Sequence, residues 1–350
     1  MRNHAIRVPA ALAALVLLPA LAGSTAAALR PTPVWSYEPN HNSARVGYAV
    51  STAGDVNNDG FSDVLVGAPG WSNGQPAEGR VLLFVGGESG PGGTPAWSFE
   101  SGQSEALLGL AVSCAGDVNG DGNDDVVVGA PDWSWGHYHE GRAYCFLGQP
   151  DGLSNTVSWS KEGTSDNARF GHQICPAGDV NGDGYDDVLV AAPYFGVSQP
   201  SEGSVYLYLG GPSGLGTSTA WSMEGGQSGA HFGLSISTAG DVNGDGYDDV
   251  IIGAPDWNNA TNDSGGAWIY LGGPGGLSTQ AVFFVEGGFN WRFGERVALM
   301  GDTNGDGYSD IAIKGGTGNP SYVYVYHGHP NGTDENPDRI YTDDGNSAFG

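Results

Sequence analysis

One spacing constrains this chain more than anything else in it. Acidic stretches of the form D-x-N-x-D-G-x-x-D begin at Asp55, Asp117, Asp179, Asp241 and Asp302, at steps of 62, 62, 62 and 61 residues. Trp35, Trp97, Trp159 and Trp221 keep the same step, and Phe283 continues the series. A glycine after an apolar residue returns at Gly47, Gly109, Gly171, Gly233 and Gly294. Four copies then read G-A-P or A-A-P, at 67–69, 129–131, 191–193 and 253–255, while the fifth reads Lys314-Gly315-Gly316. Chance does not lock several independent features to one period, so the chain is an array of one supersecondary unit.

Each copy carries four short runs rich in β-branched and aromatic residues, separated by Gly, Pro, Asn and Asp. One surrounds the Trp (Ala96-Trp97-Ser98-Phe99), one precedes the acidic loop (Phe232 to Ile236), one follows it (Val126-Val127-Val128), and one alternates aromatics (Val205 to Leu209). No helical period is present past the N-terminus. The 61 glycines fit turn chemistry between many strands. Four strands per repeat, arranged radially, predict an all-β fold: a β-propeller of four-stranded blades. A solenoid is the alternative, but solenoid coils are usually much shorter than this repeat.

The N-terminus has the layout of an export signal. Arg2 and Arg7 precede an apolar run from Val8 to Leu21, and small residues follow at Ser24, Ala26, Ala27 and Ala28. The run is short against the roughly 20 residues of a membrane span. The expected organisation is a signal peptide over 1–28 and repeats over 34–350, at about 34–96, 97–158, 159–220, 221–282 and 283–338, with a partial copy at 339–350. A formal charge of -27 disfavours nucleic acid and anionic lipid as partners. Cys114, Cys145 and Cys175 are an odd set; Cys145 reads as core, with a Cys114–Cys145 bridge as the alternative.

The acidic loops have the donor pattern of a hard-cation site. In the second, Asp117, Asn119 and Asp121 offer side-chain oxygens at positions 1, 3 and 5. Gly122 allows a sharp turn, Asn123 offers its carbonyl at position 7, and Asp125 closes the set at position 9. The same positions hold Asp55, Asn57, Asp59, Phe61 and Asp63; Asp179, Asn181, Asp183, Tyr185 and Asp187; Asp241, Asn243, Asp245, Tyr247 and Asp249; and Asp302, Asn304, Asp306, Tyr308 and Asp310. Oxygen donors in a flexible loop favour Ca2+ over zinc, copper or magnesium. An EF-hand would place its last ligand at position 12 and run into a helix. Here Asp at position 9 runs into a strand, and five alike loops suit a structural role better than catalysis.

With apolar-Gly, D-x-N-x-D-G-x-x-D and G-A-P in this order, the chain resembles the FG-GAP repeats of integrin α-subunit propellers over residues 34 to 350. Phe-Gly itself stands at Phe170-Gly171, Phe232-Gly233 and Phe293-Gly294, and is replaced by Val46-Gly47 and Leu108-Gly109. The resemblance implies calcium loops on one face, ligands on the other, and a role in adhesion or recognition of an extracellular protein or glycan. It does not extend to a transmembrane helix, leg domains or an inserted adhesion domain. The chain reads as a secreted or surface protein without membrane insertion.

Strand ends alternate between propeller faces, so the loops after G-A-P lie opposite the acidic loops. They carry Trp71, Trp133, Phe195 and Trp257 in period. Periodic aromatics suit wedges between blades. Trp135 and Tyr138 break the period and are the better ligand candidates, with Trp133 and Trp257 beside them. His137 and His139 read as loop surface. No catalytic triad, His pair or phosphate loop is evident; a carbohydrate-active enzyme, or a purely structural surface repeat, are the other classes. Arg339-Ile340-Tyr341 and Phe349-Gly350 repeat the opening of a copy. That phase predicts a fragment of a six- or seven-blade propeller, seven fitting the resemblance, with a five-blade ring as the alternative.

Overall fold

The computed structural model describes residues 35–38, 41, 43–258, 264–288, 291–316, 321–334 and 336–342. The chain divides into Met1–Ser36, of which Trp35 and Ser36 are described, and Tyr37–Gly350, which holds every described strand. The expected export signal and Phe349-Gly350 lie outside the described residues.

Five antiparallel sheets of four strands succeed one another. The first blade is Val50–Gly54, Asp63–Ala68, Arg80–Phe84 and Trp97–Glu100. The second is Ala111–Gly116, Asp125–Ala130, Arg142–Phe146 and Trp159–Glu162. The third is Gln173–Gly178, Asp187–Ala192, Ser204–Tyr208 and Trp221–Glu224. The fourth is Ser235–Gly240, Asp249–Ala254, Gly266–Tyr270 and Phe283–Glu286. The fifth is Arg296–Gly301, Asp310–Gly315, Tyr322–Tyr326 and Arg339–Thr342. The first strands of consecutive blades pack side by side, so they are the inner strands of a propeller.

The repeat in the sequence and the blade in the fold are one strand out of phase. The Trp strand forms the outer edge of the preceding blade: Trp97 pairs with Leu83, Trp159 with Cys145, Trp221 with Leu207 and Phe283 with Ile269. The sequence boundaries at 97, 159, 221 and 283 therefore cut each blade before its last strand. Arg339–Thr342 likewise completes the fifth blade rather than opening a sixth.

Four hydrophobic cores lie between the five blades, and strand alternation feeds them. Val126 and Val128 enter the core shared with the first blade, while Val127 enters the one shared with the third. A strand covered on both faces reads as a continuous apolar run, which explains Val126-Val127-Val128 and Val250-Ile251-Ile252. The Trp series fastens these cores. Trp97, Trp159 and Trp221 each donate their indole N–H to a carbonyl of the next blade, at Ser154 (3.1 Å), Gly216 (2.9 Å) and Ser278 (3.0 Å).

The motif glycines mark where two blades touch through backbone. A Cβ on Gly67 would lie 1.9 Å from the Gly109 carbonyl oxygen, and one on Gly129 2.0 Å from that of Gly171. Gly109 and Gly171 themselves have φ of +85° and +82°, conformations that L side chains rarely adopt. The two motifs named by glycine thus meet across the blade joint.

Candidate metal loops and ligand face

Each acidic loop joins an inner strand to the second strand of its blade, so all five lie at one end of the blades. In the first, the Asp55 carboxylate accepts the N–H groups of Asp59 (3.0 Å) and Gly60 (2.8 Å). The Asn57 side-chain oxygen accepts the same Asp59 N–H at 3.2 Å, which draws positions 1, 3 and 5 together. The Asp59 carboxylate in turn accepts from Phe61 N–H and from the Asn57 amide. The other four loops repeat this: Asp117, Asp179, Asp241 and Asp302 each accept the N–H of their position-6 glycine at 2.8–2.9 Å.

The position-9 acids are the buried members. Asp63, Asp125, Asp187, Asp249 and Asp310 are at most 1% exposed. One oxygen of Asp125 accepts Val118 N–H (3.0 Å) at the loop start; the other accepts Gly148 N–H (2.8 Å) in the turn after the third strand. The pattern recurs in every loop. Burial pushes the Asp125, Asp187 and Asp249 carboxyls up to about 7, and the neighbouring carboxylates at positions 1 and 5 push the same way.

Position 8 escaped sequence reasoning altogether. The Asp124 carboxylate accepts the N–H of Asp55 in the preceding blade (2.7 Å), and its own N–H donates to the Asp55 carbonyl (3.1 Å). Asp186 does the same to Asp117 and Asp248 to Asp179. The loops therefore form a chain, each grasping position 1 of the one before. Position 7 adds to this: the rings of Tyr185, Tyr247 and Tyr308 lie over Gly120, Gly182 and Gly244 of the preceding loop. In the last joint Ser309 replaces the acid and only its backbone N–H reaches Asp241.

No group of three or more His, Cys, Asp or Glu arranged as a ready metal cage occurs among the described residues. The loop donors are a different set: carboxylates at positions 1 and 5, an amide oxygen at 3, a carbonyl at 7 and the anchored acid at 9. All are oxygens, and each position-9 oxygen accepts one N–H, which leaves lone-pair capacity. Such a donor set fits a hard divalent cation.

At the opposite end, a periodic glutamate shapes the loops after G-A-P. Glu78, Glu140 and Glu202 are 1–2% exposed and sit inside those loops. Glu140 accepts the N–H groups of Trp135 (2.7 Å), Gly136 (3.0 Å) and His137 (2.9 Å). On this pinned loop Trp135 is 82% and Tyr138 61% exposed. Trp133 and Trp257 are half-buried: Trp133 packs into the core between the first and second blades, and Trp257 lies edge-on to Trp268 and Phe284. The four expected ligand residues thus separate into two exposed and two wedged. His137 is exposed beside Asp166, whereas His139 is more covered and stacks on Tyr138. The three cysteines are free thiols.

A second feature of this end was also missed. A cavity of about 550 Å³ lies on the axis, lined from all five blades by the residues that follow the motif glycines. Among them are Tyr48, His172, Gln173, Ser235, Glu295 and Arg296. The signal lay in a repeated Gly followed by pairs that vary between copies: Tyr48-Ala49, Leu110-Ala111, His172-Gln173, Leu234-Ser235 and Glu295-Arg296.

Comparison with known proteins gives a consistent family. The FG-GAP repeat family matches residues 46–84, 111–145, 170–208 and 232–270. The fifth copy, whose G-A-P is replaced, falls outside those matches. Integrin alpha-4 of Xenopus laevis is 36% identical over 215 residues, covering 60% of this chain and 20% of that protein. Integrin alpha-V of Gallus gallus is 34% identical over 219 residues, with 60% and 20% covered. Integrin alpha-IIb of Homo sapiens is 36% identical over 188 residues, with 46% and 18% covered. The chain spans about a fifth of the length of these relatives. A solved rhamnogalacturonan lyase overlaps 83% of the chain and 52% of its own, at a TM-score of 0.46 and 13% identity, a likeness too slight to carry an argument. No helix among the described residues is long and apolar enough to cross a membrane. Period, blade and motif agree with the matches: the chain is an FG-GAP repeat protein, similar in sequence to integrin α subunits.

Proposed function

We propose that this propeller is a secreted or surface recognition module, an adhesin for an extracellular protein or glycan, stabilised by about five structural Ca2+ ions in its acidic loops. The observation that carries the reading is the chain of loops. Oxygen donors converge at positions 1, 3 and 5 in all five, each loop is tied to its neighbour, and the exposed Trp135–Tyr138 loop stands at the other end of the blades. Five alike loops strung along four blade joints suit a cation that holds blades together, and a rigid loop with exposed aromatics suits a binding face. The acids at positions 1, 5 and 9, the Asn amide oxygen at 3 and the carbonyl at 7 would hold the ion, whose charge offsets the carboxylate crowding. Neither nucleic acid nor a bilayer is an expected partner, and no reaction is assigned.

Two measurements test this. Chelator should lower the melting midpoint by many degrees, and added Ca2+ should restore it. A screen against glycans and matrix proteins should return a ligand whose binding falls at least tenfold in a Trp135→Ala/Tyr138→Ala double variant. Full binding by that variant removes the loop from the proposal.

A further inference from the structure

The axial cavity has a charge balance unlike the rest of the molecule. In a chain of formal charge -27, the acids near it are already matched. Glu295 binds Lys314 (2.7 Å). Asp132 holds Arg169 (2.9 Å), and Asp256 holds both Arg292 and His231. Arg296 lines the cavity, donates one N–H to the Glu295 carbonyl (2.9 Å), and has no carboxylate partner among the described residues. His172 also lines it, and its buried Nδ1 has no hydrogen-bond partner there. Burial holds this imidazole down to about 4, helped by Arg169 and Arg296, so it is neutral at pH 7. The remaining polar lining is neutral: Gln173, Ser235 and Tyr48. Ser235 accepts the Val297 N–H (3.0 Å), which leaves its own hydroxyl proton to donate.

We propose that the axial cavity binds an acidic sugar residue, with the carboxylate on Arg296 and the hydroxyls on Gln173, Ser235 and Tyr48. Each part of the lining finds a use in that ligand. Of the lining residues only Arg296 carries a guanidinium, and its planar fork suits bidentate pairing with one carboxylate. The neutral donors and acceptors match a polyhydroxylated ring. An acidic peptide side chain would engage Arg296 but leave most of those groups idle. The volume lies in the range of small-molecule sites, ~300–1,000 Å³. The proposal shares with the recognition reading only the face it uses, because the Trp135 loop and the cavity can be disabled separately.

The test is calorimetric titration of the whole chain in calcium with glucuronic acid and galacturonic acid, against the methyl ester of each. The ester keeps the ring and removes the charge, and the protein stays unaltered. The expected result is binding of at least one acid, at least tenfold weaker binding of its ester, and weakening with salt. Arg296→Gln should lose at least tenfold and Arg296→Lys less. Equal binding of acid and ester, no binding of either acid, or full binding by a folded Arg296→Gln overturns the site. A glutamate-rich peptide that binds as tightly as the sugar acid overturns the choice of ligand. Acid binding alongside an empty glycan and matrix screen would retain the cavity and remove the Trp135 loop.

Discussion

At the residue scale, position 8 of the loops has the clearest consequence. Asp186 supplies the acceptor for the Asp117 N–H across a blade joint, and replacing it with Ala leaves that donor without its partner. Losing a hydrogen bond to a charged acceptor costs about 1.5–3 kcal/mol. Chemical denaturation of Asp186→Ala should show a loss of that order, whereas Ser309→Ala, where only backbone reaches the neighbour, should stay within about 0.5 kcal/mol. Gly67→Ala is a harsher test. Its Cβ would meet the Gly109 carbonyl oxygen at 1.9 Å, so the variant should lose more than about 3 kcal/mol or fail to fold. His172 predicts a pH effect whose sign follows from its burial. Its folded pKa, about 4, lies below the usual 6.5, so the folded state binds fewer protons between those values. That contribution to stability is complete above about pH 6.5 and is lost as pH falls toward 4. Melting midpoints from pH 7 to 5 should fall more steeply for the native chain than for His172→Asn.

At the element scale, the sequence was informative wherever a feature is local and repeated. The four strands, the acidic loops and the glycines all belong to short windows, and five copies average out the noise of any one. The phase of the blade was not legible. From Phe84 to Trp97 and from Glu100 to Ala111 the connections are of similar length, so nothing local says which neighbour Trp97 pairs with. Long-range pairing with Leu83 decides it. Glu78, Glu140 and Glu202 recur in the sequence as plainly as the tryptophans. A charged residue in a loop is expected to face water, and only the fold shows three N–H groups turned inward onto Glu140. Glu140→Gln keeps the shape but removes the charge that these donors favour. Intrinsic fluorescence of Trp135 and limited proteolysis at 133–139 should both report a looser loop, with the rest of the blade unchanged.

At the scale of the whole molecule, two departures fall on one joint. Phe283 replaces the tryptophan whose indole N–H would cross to the fifth blade, and Ser309 replaces the clasping aspartate. The hydroxyls of Ser235 and Ser237, which accept N–H groups of Val297 and Leu299, offset part of that loss. The fifth blade also leaves Met300, Ile340 and Tyr341 at least 44% exposed. Hydrogen exchange should therefore find its strands the first to open, ahead of the second and third blades, as expected for a region with fewer buried contacts. Uniform protection across all five blades would contradict that order. Charge is also divided along the blades: among the described residues the acidic loops crowd one end, and of the lysines and arginines only Arg339 starts a strand there. A cation at the acidic end would relieve repulsion in every joint at once. The most direct measurement is the melting midpoint of the metal-stripped chain as Ca2+ is added back. A large, saturable rise is expected, lost on chelation and much smaller with Mg2+. A midpoint that stays fixed from saturating chelator to millimolar Ca2+ would contradict it.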